Sequence, residues 1–246
     1  MNFRYTLCIS LSLVVGGTLT AQTREIDPLQ RILIRDSPRL EAIYCCPSGT
    51  GPFPLVIYNH GGLGQAVGGP IEDTCRALAR AGFVGYAPIR RKTISMNGHL
   101  NDVLEGLRHA SKLKKVDATK TGMIGFSRGG LLTYLATIRN PDMRAAIILA
   151  PAHGRGALEA SLQHSNRIRC PILILISEND NTKFDLVSLS SRLEQALKSA
   201  DKTVQRIVYP PFENDGHRRF FTIGSYWNDV ESFLRQHLST PPGRND

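Results

Sequence analysis

Residues 170–176 read Cys-Pro-Ile-Leu-Ile-Leu-Ile, an unbroken apolar run of strand length. A strand without polar alternation must be covered on both faces, which calls for a sheet layered between helices. Further strand-like runs occur at 54–59, 83–88, 120–124, 145–150 and 203–209. Helical periodicity falls between and after them, at 71–81 (closed by Gly82, a common C-terminal cap), about 100–114, 131–138, 186–199 and 223–236. Residues 30–34 and 40–45 flank Asp36-Ser37-Pro38 and read as an opening antiparallel pair. Alternating strand and helix predicts an α/β fold with a mostly parallel central sheet and right-handed crossovers. With 246 residues one such domain is the simplest count, and 41% hydrophobic with 21% charged residues excludes a disordered chain.

The chemistry concentrates where one predicted strand meets the next helix. Gly125-Phe126-Ser127-Arg128-Gly129-Gly130 is a G-x-S-x-G motif with an apolar run before it and a helical stretch after it. That context puts a serine on a sharp strand-to-helix turn, its hydroxyl lifted above the sheet and the helix N-terminus favouring negative charge beside it. The alternative is a Gly-rich helix entry whose serine merely caps the helix.

A serine hydroxyl needs a base to take its proton, and the base needs an orienting acid. On a sheet of this kind the acid and then the base follow the serine in chain order. The run at 170–176 ends at Ser177-Glu178-Asn179-Asp180-Asn181, which offers Asp180, with Glu178 and Asp185 ranked below it. The run at 203–209 leads into Pro210-Pro211-Phe212-Glu213-Asn214-Asp215-Gly216-His217, which offers His217. Six other histidines are present; His153, after the run at 145–150, is the runner-up base. Oxyanion donors are expected from the backbone N–H of Arg128 and from the glycine loop His60-Gly61-Gly62-Leu63-Gly64, at Gly62 first and Leu63 next.

Together, His60-Gly61-Gly62, the Ser127 motif, Ser177-Glu178-Asn179-Asp180 and Gly216-His217 resemble an α/β-hydrolase of the dienelactone-hydrolase-like branch, over residues 54–238. The resemblance implies a triad of Ser127, Asp180 and His217, an acyl-enzyme mechanism, and no metal or organic cofactor. Dienelactone hydrolases proper are known for a cysteine nucleophile. Ser127 therefore points away from dienelactone and toward the serine esterases grouped with them. Only about twenty residues, 151–169, stand where many relatives insert a lid, which is too short for a separate cap domain. The expected substrate is a small or polymer-borne ester reached through an open site. A peptidase of the same fold, an acyltransferase and a non-catalytic binding module are the competing readings.

Residues 1–21 carry one positive charge, Arg4, then an apolar stretch at 7–19 and a small-residue site at Ala21. They read as a signal peptide cut after Ala21, with an uncleaved anchor as the alternative, and imply a secreted or periplasmic protein with its single domain at 22–246. No other segment is long and apolar enough for a membrane span. The tail at 239–246 is polar and rich in Pro and Gly, and reads as loose. Cys45, Cys46, Cys75 and Cys170 remain after the signal. Cys45 and Cys46 are adjacent on a predicted strand and point to opposite faces, so one of them can reach Cys75. No paired zinc-ligand spacing occurs.

The formal charge of +9 favours anionic surfaces, but no nucleic-acid-binding motif accompanies it. Arg90-Arg91-Lys92 and Arg218-Arg219 follow predicted strands, on the side where such sheets bind ligands, which makes Arg90, Arg91 and Arg218 candidates for a substrate carboxylate. The Arg128 side chain is expected to pair with a carboxylate beneath the serine turn. Oligomeric state is not legible in the sequence.

Overall fold

The computed structural model describes residues 24–62, 66–181 and 184–239. The proposed signal peptide, Leu63 and most of the tail lie outside these residues. The chain builds one eight-stranded sheet from β1 (Gln30–Arg35), β2 (Leu40–Cys45), β3 (Phe53–Asn59), β4 (Val84–Ile89), β5 (Val116–Phe126), β6 (Ala145–Leu149), β7 (Ile172–Ser177) and β8 (Val204–Tyr209). The strand order is β1-β2-β4-β3-β5-β6-β7-β8. β1 and β2 form the expected antiparallel pair, β2 runs antiparallel to β4, and every later pairing is parallel. All residues of β6 and β7 are buried, as their unbroken apolar sequences require.

The helices are α1 (Ile71–Arg80), α2 (His99–Ala110), α3 (Arg128–Arg139), a short α4 (Ala157–Ser161), α5 (Leu186–Ser199) and α6 (Trp227–Leu238). α1 closes at Gly82 with φ +97°, the left-handed conformation a C-terminal glycine supplies. Two boundaries differ from expectation. α3 begins three residues earlier than predicted, at Arg128, so helix follows the candidate nucleophile directly. α6 begins four residues later, at Trp227, because Phe220 and Tyr226 pack ring against ring at 5.0 Å and hold the preceding segment as an aromatic-anchored loop. Between β6 and β7 the chain makes only α4 and a 3-10 turn at Leu162–Arg167, with no separate cap. Among the described residues no helix is long and apolar enough to cross a membrane.

Candidate active site

Ser127 joins β5 to α3 with φ +54° and ψ −117°, a region a residue with a Cβ seldom occupies. The turn is held from both sides. The Ser127 N–H donates to the Leu149 carbonyl at 2.9 Å, and the Ser127 carbonyl accepts from the N–H of Leu131 at 3.1 Å and of Ala152 at 3.0 Å. The motif glycines are required by packing: a Cβ on Gly125 would lie 2.1 Å from the Gly129 oxygen, and one on Gly129 would lie 1.8 Å from the Asn59 oxygen. The elbow therefore closes only if both positions lack a side chain.

Asp180 is buried in the turn after β7, and its Oδ2 lies 3.0 Å from Nδ1 of His217. The His217 loop is pinned to that same turn. Asn179 donates from Nδ2 to the carbonyls of Phe212 and Glu213 at 3.2 and 3.1 Å, and its Oδ1 accepts from the Phe212 N–H at 2.9 Å. Gly216 packs so closely that a Cβ there would meet Asn179 Oδ1 at 2.6 Å and Asp180 N at 2.7 Å. The Asp215 carboxylate accepts from the His217 N–H at 3.0 Å, and the Phe126 ring lies 4.8 Å from the imidazole. Arg219 donates to Ser177 Oγ at 2.8 Å and to the Pro210 carbonyl at 2.9 Å, with its guanidinium 5.0 Å from both the Tyr209 and Phe212 rings. Asn179 and Arg219, which the sequence did not single out, hold the His217 loop against the end of β7. The alternative acids are occupied elsewhere or point out: Asp185 caps α5 through the Ser188 N–H at 2.9 Å, and Glu178 is exposed.

Ser127, Asp180 and His217 line one cavity of about 750 Å³, together with Gly62, Arg128 and Asp215. Gly62 has φ +100°, and a Cβ there would overlap the Ala66 carbonyl at 2.0 Å, so only glycine fits. Arg128 is the first residue of α3, where backbone N–H groups have no partner within the helix. Leu63, the second loop candidate, lies outside the described residues. His153 also lines the cavity, its ring tilted against Phe184 with centroids 4.0 Å apart, but among the described residues no carboxylate stands within ion-pair distance of it.

The arginines depart from the sequence reading. Arg90 is buried beneath the glycine loop rather than open to substrate: it donates to the His60 carbonyl at 2.5 Å and the Gly61 carbonyl at 3.4 Å, and its own N–H donates to His60 Nε2 at 3.3 Å. Burial first, and the charge of Arg128 second, bring it down to about 9. Burial first and Arg90 second press His60 down to about 3, so its ring is neutral. Arg91 faces away from the cavity and chelates the buried Asp102 carboxylate at 2.8 and 2.7 Å. Among the described residues the Arg128 side chain meets no carboxylate; it donates to the carbonyls of Thr93 at 3.3 Å and Ile94 at 3.1 Å and so pins the segment after β4 over the elbow. Arg218 does line the cavity, 3.3 Å from Glu213, and Arg155 joins it there. Ile94, Met96, Phe184, Leu186 and Phe221 supply the apolar lining.

The comparisons with known proteins agree with this architecture. The profile described as "Dienelactone hydrolase family" matches residues 86–238, well over half of the chain. A Methylorubrum extorquens protein named "Putative carboxymethylenebutenolidase" is 25% identical over 231 residues, covering 80% of this chain and 77% of its own. A Bradyrhizobium protein named "Probable 2-oxo-3-(5-oxofuran-2-ylidene)propanoate lactonase" is 26% identical, covering 78% and 87%. Among solved structures, a "Putative Dienelactone Hydrolase" from Klebsiella pneumoniae superposes with TM-score 0.66 at 20% identity, covering 86% of this chain and all of that one. An acylaminoacyl peptidase from Pyrococcus horikoshii gives 0.67 at 16% identity, with 88% of this chain covering 43% of it, a likeness of fold alone. This chain is a hydrolase and belongs to the dienelactone hydrolase family.

Proposed function

We propose that the protein hydrolyses carboxylic esters or lactones through an acyl-enzyme on Ser127, with His217 as base and Asp180 as its orienting acid. The observation that carries this reading is the strained Ser127 turn opening into the same cavity as a histidine whose Nδ1 is held 3.0 Å from a buried carboxylate. His217 takes the Ser127 proton as the hydroxyl attacks the carbonyl carbon, and Asp180 keeps the imidazole in the tautomer that presents Nε2 to the serine. The tetrahedral oxyanion is received by the N–H groups of Arg128 and Gly62. His217 then returns the proton to the leaving oxygen, and water releases the acyl group by the reverse path.

The cavity supports a substrate with an apolar body and a carboxylate. Arg128, Arg155 and Arg218 stand around the apolar patch of Ile94, Phe184 and Phe221. The two named relatives carry a carboxyl group in the names of their lactone substrates. Residues 1–21 support export as part of the same reading.

The test is turnover of p-nitrophenyl esters by wild type and Ser127→Ala side by side. Hydrolysis by wild type that disappears in the variant is the expected result. Turnover that survives the substitution would remove Ser127 as nucleophile.

A further inference from the structure

We propose that Cys45 of β2 and Cys75 of α1 are a disulfide-forming pair. All four described cysteines are buried free thiols in this structure. The register of the sheet singles out two of them. Cys45 is the cross-strand partner of Gly85 on β4. Partners in an antiparallel pair project from the same face, with Cα atoms about 4.5–5.5 Å apart.

Gly85 has no side chain, and α1 fills the space. A Cβ on Gly85 would lie 2.8 Å from the Cα of Cys75 and 2.7 Å from its carbonyl oxygen. Cys75 therefore rests on the sheet where the neighbour of the Cys45 side chain would stand. The Cα atoms of the two cysteines come out roughly 6–7 Å apart, at the outer end of the range a disulfide spans. The Cys75 thiol already points at β2, 3.6 Å from the Ile43 carbonyl. Ile43 and Cys45 are two residues apart on one strand and so share that face. The Cys45 thiol is turned toward the Asp27 carbonyl at 3.2 Å, and rotation about its Cα–Cβ bond re-aims it.

The other two cysteines are excluded by placement. Cys46 lies past the end of β2, outside the register that sets Cys45 opposite Gly85. Cys170 precedes β7, four strands beyond β4 in the sheet order.

Burial raises both thiols, so they are protonated and inert in the closed fold. The bond forms by exchange with an oxidant disulfide while the chain is folding. The thiolate of one cysteine attacks the oxidant and gives a mixed disulfide. The thiolate of the other displaces the second oxidant thiol, so two electrons and two protons pass to the oxidant. The product ties β2 to α1, which begins at Ile71, nine residues after Gly62.

The experiment is refolding of the full chain in oxidised and reduced glutathione, alkylation of remaining thiols under denaturing conditions, and non-reducing peptide mapping by mass spectrometry. A Cys45–Cys75 peptide two hydrogens lighter than the reduced pair, with Cys46 and Cys170 alkylated, is expected. Reduction should lower the melting temperature by about 5–10 °C in wild type and in Cys46→Ser, and leave Cys75→Ser unmoved. Full alkylation of Cys45 and Cys75 after oxidative refolding, or any other pairing of either residue, overturns the proposal. The peptide map needs only wild type, so it decides the matter even if a variant folds poorly.

Discussion

Arg90 clamps His60: its guanidinium donates to the His60 carbonyl at 2.5 Å, while its backbone N–H donates to the imidazole Nε2 of the same residue at 3.3 Å. A second guanidinium nitrogen reaches the Gly61 carbonyl at 3.4 Å, and His60 Nδ1 reaches that oxygen at 2.7 Å. The Gly61 carbonyl and the Gly62 N–H belong to one peptide unit. The Arg90 cation and the neutral His60 ring, both bonded to this oxygen, draw density from it and make the Gly62 N–H a stronger donor. Arg90 thus supports from behind the loop proposed to receive the oxyanion. Arg90→Gln should lower kcat about tenfold with KM within twofold, and Arg90→Lys should recover part of the loss; steady-state kinetics on a neutral ester separates this from a general loss of folded protein.

Ser127→Ala should cut ester turnover by about 10⁴-fold or more, because oxyanion donors and binding alone leave little catalysis. Its melting temperature should match or exceed that of wild type, since the turn is held by backbone hydrogen bonds rather than by the hydroxyl. A fluorophosphonate probe should label wild type and not the variant. Labelling at another residue would move the nucleophile.

Asn179 joins the Asp180 turn to the His217 loop through three hydrogen bonds. Asn179→Ala leaves the Phe212 N–H and two carbonyls without this partner, and should cost about 1–3 kcal/mol in chemical denaturation. It should also reduce kcat, as the imidazole loses its fixed approach to the serine. Unchanged turnover in the folded variant would show that Gly216 packing alone sets the loop.

Arg155 carries φ +56° and lines the cavity without a carboxylate partner among the described residues. Asparagine tolerates that backbone conformation. Arg155→Asn should raise KM for an ester bearing a carboxylate about tenfold and leave a neutral isostere within twofold. Equal effects on the two substrates would remove the anion-binding role.

Acid stability follows from two buried histidines. Burial first and Arg90 second hold His60 down to about 3 and His99 to about 4. Both ordinarily titrate near 6.5, so between these values the unfolded chain binds protons that the folded chain refuses. Stability should be unaffected by these groups above about pH 7 and fall as pH drops through 6.5, by about 1.4 kcal/mol per pH unit per histidine until each folded value is reached. Urea denaturation from pH 8 to 4 should show this, and His99→Gln should flatten the slope by one histidine's share.

The order of strands and helices and the candidate reacting groups were legible in the sequence. Apolar runs and helical periodicity located all eight strands and the five long helices, because those patterns are written within a few residues. Ser127, Asp180 and His217 were legible for the same reason: each follows a recognisable strand, and Asp180 and His217 do meet at 3.0 Å. The roles of Arg90, Arg91 and Arg128 were decided only in three dimensions. A long cation takes the nearest acceptor that its neighbours leave open, and those acceptors lie 11 to 35 residues away. The sheet order sets β4 beside β3, so Arg90 ends next to His60 and Gly61 instead of substrate. Pairing of non-consecutive strands depends on the whole layer packing at once, and no local stretch of sequence carries it.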